Sequence, residues 1–131
     1  GGFLNWSTTP PHGPMPNARR LIIEAEYLIR LLLEDMLVEF GCTIAAVASN
    51  LEEGKRAAQT AEIDLAILDV NIDGQQVFPI ADILRSRKLP FIFITGYGAR
   101  GLPDNYRDTP TLQKPFQMDD LKTTLDRVLP R

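Results

Sequence analysis

The sequence is poor in the residues on which several kinds of chemistry depend. It has one cysteine, Cys42, so no internal disulfide forms and nothing points to an oxidising compartment. It has one histidine, His12, in a Pro/Gly-rich stretch. That excludes a multi-histidine metal centre and a Ser-His-Asp triad in the core. No apolar run approaches the roughly 20 residues of a membrane span. The N-terminus lacks the basic start and apolar stretch of a signal peptide. A cytoplasmic location with no membrane partner is therefore expected. Basic residues are in deficit, with a net charge of −3, which argues against a domain built to grip phosphate backbones; no nucleic-acid partner is expected.

What is present is one domain's worth of chain. At 131 residues a substantial core is affordable, but two comfortable domains are not. Residues 1–17 hold Pro10, Pro11, Pro14 and Pro16, which exclude a long helix or a central strand. They read as a flexible leader; Phe3, Leu4 and Trp6 leave open a second reading, docking on a surface groove. The folded domain is expected over 18–131.

Within it, strand-like and helix-like segments alternate. RLIIE (Arg20–Glu24), TIAAVA (Thr43–Ala48), LAILDV (Leu65–Val70), FIFIT (Phe91–Thr95) and the weaker TLQK (Thr111–Lys114) read as strands. The third is apolar throughout, as befits a central parallel strand covered on both faces. Between them, helical spacing predicts an inner face of Leu28, Leu31, Leu32, Met36 and Phe40 for the first helix, stopped by Gly41. A second helix runs from an Asn50 cap to Gln59, with Glu52 and Glu53 favoured in its first turn by the helix dipole. A third spans Val77–Arg87, facing inward through Ile80, Ile83 and Leu84. A last one spans Met118–Leu129, facing inward through Leu121, Leu125 and Val128. The alternation implies an α/β, doubly wound, five-stranded parallel sheet. Between Thr95 and Lys114 the glycines and prolines predict a long loop with at most a short or irregular helix.

In such a sheet, ligands bind beyond the carboxyl ends of the strands. Glu24, Asp69, Thr95 and Lys114 occupy four of those ends. Each alone has a plain structural reading: a helix cap, a turn former, a last strand residue, a solvated amine. Together they suit phosphoryl transfer to a carboxylate. Asp69 attacks phosphorus and forms an acyl phosphate. Lys114 and Thr95 meet two phosphoryl oxygens, and a divalent metal takes the third. Oxygen ligands suit Mg2+, held by Glu24, Asp69 and the backbone carbonyl of Asn71.

LIIEAE (Leu21–Glu26), LDVN (Leu68–Asn71), FITG (Phe93–Gly96 at its end) and QKPF (Gln113–Phe116) resemble the motifs of the receiver domain of bacterial two-component response regulators. LPFIFITGYG (Leu89–Gly98) looks like the single-domain type with a PFxFATGYG signature. The resemblance implies a flavodoxin-like fold with strand order 2-1-3-4-5, Asp69 as phospho-acceptor, Asn71 as a carbonyl ligand, Thr95 as switch hydroxyl and Lys114 as phosphoryl contact. It also implies a cis Lys114–Pro115 peptide. The phosphoryl donor would be a histidine kinase or phosphotransfer protein. Output would run through protein contact with a downstream protein, since only the last helix follows Lys114. A homodimer is allowed for, and the domain is not a dedicated enzyme.

Two positions depart from the pattern. The usual acid pair after the first strand is Glu24–Ala25 here, which predicts weak Mg2+ binding and slow phosphorylation; Glu26 is an alternative that could reach the metal, but its side chain is expected to point along the helix start. Thr111 stands where many receivers carry an aromatic residue, so the segment Tyr97–Thr109 is the candidate two-state element, with Tyr97 or Tyr106 either reporting the switch or merely packing. The alternative function is a pseudo-receiver with an impaired metal site, acting as a constitutive protein-interaction module. A flavodoxin-like cofactor binder is disfavoured because EAEYL lacks the glycines that cradle a phosphate.

Overall fold

The computed structural model describes residues 18–96 and 101–128. The leader, Tyr97, Leu129 and the expectations attached to them lie outside the described residues. Strands β1 (Arg19–Ile23), β2 (Thr43–Ala48), β3 (Leu65–Asp69), β6 (Phe91–Thr95) and β7 (Thr111–Gln113) form one sheet in the order β2-β1-β3-β6-β7. Every pairing in it is parallel. Counting these five strands alone, the order is the expected 2-1-3-4-5. No helix among the described residues is long and apolar enough to cross a membrane.

Successive strand side chains point to opposite faces, and the core divides accordingly. Leu21, Ile23, Ala66, Leu68, Phe91 and Phe93 pack with Ala58 of α2 (Leu51–Thr60) and with Ile80, Ala81 and Leu84 of α3 (Phe78–Ser86). Ile22, Leu65, Ile67, Ile92 and Ile94 pack with Leu33 and Leu37 of α1 (Tyr27–Glu39) and with Leu121 and Leu125 of α4 (Met118–Val128). At the start of α2, Asn50 accepts the Glu53 N–H at 2.8 Å, as a capping residue should. The close fit of this layer explains Gly54 in mid-helix. A Cβ there would lie 2.6 Å from Ile80 Cδ1 and 3.1 Å from Ile23 Cδ1.

The first helix corrects one expectation. Leu28 is 75% exposed and Leu31 and Leu32 are also accessible, whereas Leu33 and Leu37 are fully buried. The sequence YLIRLLLEDMLVEF is apolar around most of the helix circumference, so spacing alone permits more than one inner face. Packing selects the one running through Ile29, Leu33, Met36, Leu37 and Phe40. Arg20, also unforeseen, is fully buried beside an irregularity in the β1–β2 register. Burial lowers its pKa.

Two short strands form a separate hairpin, β4 (Asn71–Ile72) with β5 (Gln75–Gln76). Asp73 and Gly74 between them both have positive φ, 54° and 86°. That is the Asp-Gly turn chemistry a two-residue hairpin favours.

Among its described residues, the connection from β6 to β7 holds a short 3-10 turn, Asp104–Tyr106, of the kind its composition predicts. Tyr106 is buried and packs rather than projecting. Its ring stacks on Phe78 and lies edge-on to Phe93, at centroid distances of 5.7 and 5.6 Å. Arg85 sits over it at 4.0 Å, and its hydroxyl donates to Asp82. Burial, and secondarily Asp82, push that hydroxyl up to about 12.

Removing this anchor should be costly. Tyr106→Ala is expected to destabilise the domain by about 3–5 kcal/mol, the usual range for emptying an aromatic core site. Tyr106→Phe, which loses one hydrogen bond to a carboxylate that water reaches, should cost about 1 kcal/mol. Urea unfolding measures both; equal losses would mean that the hydroxyl, not the ring, does the anchoring.

Candidate functional site

The carboxyl ends of β1, β3 and β7 bring four charged side chains together. Glu24 directly follows β1 and extends its ladder, its N–H donating to the Ala48 carbonyl at 3.0 Å. Asp69 ends β3, in register with Ile94 of β6. Lys114 follows β7, and its N–H donates to the Thr95 carbonyl at 2.9 Å. The Lys114–Pro115 peptide is cis. The Lys114 ammonium lies 3.1 Å from Asp69 Oδ2, 3.3 Å from Glu24 Oε1 and 3.2 Å from Glu26 Oε1.

The surrounding bonds orient these groups. Asp69 Oδ1 accepts the Asn71 N–H at 3.2 Å, and Glu24 Oε2 accepts the Glu26 N–H at 3.0 Å. Arg30 holds the turn between β1 and α1, donating to the carbonyls of Glu24 and Ala25 at 3.0 and 3.2 Å. The Asn71 side chain is engaged by its own hairpin, its Oδ1 accepting the Gly74 N–H at 2.8 Å. An open cleft lies over this arrangement, walled by Ala25, Asn71, Asp73, Gly96 and the charged groups. Thr95 is buried at the end of β6, next to Gly96. The structure thus brings Glu24, Asp69 and Lys114 together and sets Asn71 on the cleft wall, while Thr95 is buried at the end of β6 beside the cleft-lining Gly96.

Glu26 corrects a second expectation. It does not point along the helix start. Although it sits at the N-cap position of α1, its side chain makes no capping hydrogen bond and instead reaches Lys114. Glu24 and Glu26 reach the same ammonium from either side of Ala25, where the chain bends.

The electrostatics follow from burial and charge count. Burial first, then the neighbouring Asp69, push Glu24 up to about 7. Burial works against the charged form of Lys114, but Asp69 and Glu24, with Glu26, outweigh it and the pKa rises. The residues present suit a divalent cation. Oxygens of Glu24, Glu26 and Asp69 lie within 4.8 Å of one another, and Glu24 Oε1 is buried with no hydrogen bond. Lys114 approaches that oxygen as an ion pair in an orientation that does not hydrogen-bond it. A lysine ammonium already stands where cationic charge is wanted.

A parallel sheet of this order is that of a receiver-type signalling module. The match to the family model "Response regulator receiver domain" over residues 21–126 makes the membership plain: the chain belongs to that family. Among curated relatives it is 31% identical over 128 residues to the transcriptional regulatory protein PdtaR of Mycobacterium tuberculosis, covering 95% of this chain and 62% of PdtaR. It is 32% identical over 114 residues to the phyllosphere-induced regulator PhyR of Methylorubrum extorquens, covering 83% of this chain and 42% of PhyR. The chain thus spans less than two thirds of these relatives. Among solved structures, SdrG of Sphingomonas melonis Fr1 superposes with a TM-score of 0.76 at 36% identity, covering 83% of this chain and 93% of SdrG. The BeF3-activated conformation of SdrG gives 0.73 at 35% identity, covering 86% and 96%.

The raised Glu24 pKa has a defined consequence for stability. A carboxyl whose folded pKa exceeds its unfolded value, here 4.5, binds its proton more tightly when folded. Its contribution is complete below about 4.5 and is lost as pH rises through about 7. In chelator-treated protein, Tm should therefore decline across that window, and Glu24→Gln should flatten the decline. A Tm profile identical in the two proteins would remove Glu24 as its source.

Proposed function

We propose that the domain accepts a phosphoryl group on Asp69 from a phosphohistidine of a partner kinase or phosphotransfer protein, in the cytoplasm, and passes the signal on by protein contact. The observation that carries this reading is the pairing of Asp69 with Lys114 at 3.1 Å, at the edge of an open cleft. An Asp69 oxygen attacks phosphorus; the new P–O bond forms as the donor's P–N bond breaks and the imidazole leaves. The transferred group carries charge over three oxygens, so positioning and neutralisation do most of the work. Lys114 is assigned to pair with one oxygen, and the Thr95 hydroxyl to donate to another. Glu24, Asp69 and the Asn71 carbonyl are the residues that would hold Mg2+, which would supply charge neutralisation to the phosphoryl group. The BeF3-activated form of the similar SdrG supports the same chemistry here.

Ala25 favours a second reading, an interaction module that binds its partner constitutively. Ala25 borders the cleft and offers no ligand oxygen. Incubation with acetyl phosphate and Mg2+ separates the two. The acceptor reading expects one phosphoryl group, labile to hydroxylamine, mapped to Asp69 by mass spectrometry and lost in Asp69→Asn. An unmodified Asp69 under conditions that label an ordinary receiver would leave the constitutive module.

A further inference from the structure

We infer that Glu26 supplies the carboxylate missing at Ala25, acting as a third acidic ligand for the divalent cation. The inference rests on the acceptor reading of the cleft and assigns a role within it to a residue outside the usual acid pair.

Three observations converge. First, Glu26 is not engaged by the helix it begins. Its side chain makes no capping hydrogen bond at the start of α1 and turns instead toward Lys114. Second, its oxygen, one from Glu24 and one from Asp69 lie within 4.8 Å of one another. Opposed oxygens on Mg2+, each about 2.1 Å from the ion, stand about 4.2 Å apart. Adjacent oxygens on the same octahedral ion stand about 3.0 Å apart, so sharing one ion requires the three to draw together by up to about 1.8 Å. Glu26 is two-thirds exposed, so its side chain has freedom to make that movement. Third, Glu24 Oε1 is wholly buried and accepts no hydrogen bond while facing the same point.

Charge points the same way. Three carboxylates around one ammonium leave two negative charges uncompensated when all are ionised, the complement of a dication. Ala25 contributes nothing to this sum, and its small side chain leaves room for the longer Glu26 to swing across. When the ion enters, Lys114 gives up Glu26 and remains with Asp69, where the acceptor chemistry needs it.

Calorimetric titration of the full chain with MgCl2 tests this without reference to phosphorylation. Glu26→Gln is expected to weaken Mg2+ binding by about 10-fold or more, and Glu26→Ala to do the same. Ala25→Asp combined with Glu26→Gln is expected to restore the affinity, because it returns a carboxylate to the usual place. An unchanged dissociation constant in both Glu26 variants overturns the inference. So does wild-type protein that takes up no Mg2+. Acetyl phosphate labelling of Asp69 is scored separately: labelling that persists with a Glu26-independent ion leaves the acceptor reading standing, and absent labelling removes that reading as well.

Discussion

Like charges held together by a rigid sheet are the constraint on which this molecule turns. Two unit charges about 4 Å apart repel by roughly 4 kcal/mol at an effective dielectric of 20, and here the acids converge from separate parts of the chain. They stay because the strand ends leave them little choice. Asp69 is the last residue of a strand buried along its whole length, and Glu24 is fixed by a ladder bond to Ala48. Lys114 offsets part of the repulsion, and proton uptake by Glu24 offsets more. A site in this condition favours whatever brings positive charge into the cleft.

That arrangement was legible in proportion to how far it rests on the sheet. β3 and β6 are short, continuous apolar runs, LAILD and FIFIT, and a parallel sheet covered on both faces needs such runs. Once the strands are read, their terminal residues follow, which is why Glu24, Asp69 and Lys114 could be nominated although they lie far apart along the chain. The helices were less transparent. α1 is apolar around most of its circumference, so its 3.6-residue period does not choose between Leu28 and Leu33 as the inward residue. The choice belongs to the surface of β1 and β3 beneath it. Arg20 is a similar case. An arginine in a strand gives no sign in the sequence that it will be fully buried, and Arg20 is, next to a register shift against β2.

Glu26 shows the other limit. An acid near a helix N-terminus has a local role available in meeting the dipole, and Glu26 does not rely on it. Its partner, Lys114, lies 88 residues away. Tertiary attraction outcompetes a weak local role: an ammonium already surrounded by carboxylates draws one more, while glutamate is a poor capping residue to begin with. The Asp-Gly turn of the hairpin beside Asn71 is the converse, a purely local signal that needs no distant partner.

The β6–β7 connection completes the picture because it separates anchoring from chemistry. Its two ends are fastened by the sheet, through Phe93 N–H to the Pro110 carbonyl at 3.1 Å and Lys114 N–H to the Thr95 carbonyl at 2.9 Å. Its middle is fastened by Tyr106 to α3, on the sheet face opposite α1 and α4. The tyrosine bonds to Asp82, not to the charged cluster, so the ring contributes stability without adding charge to the cleft. Thr95 and Lys114 are joined by a single ladder bond. A displacement of one strand end is therefore carried directly to the other, by a shorter route than the connecting loop provides. The sheet, which creates the repulsion among the acids, is also the element that joins the strand ends carrying Thr95 and Lys114.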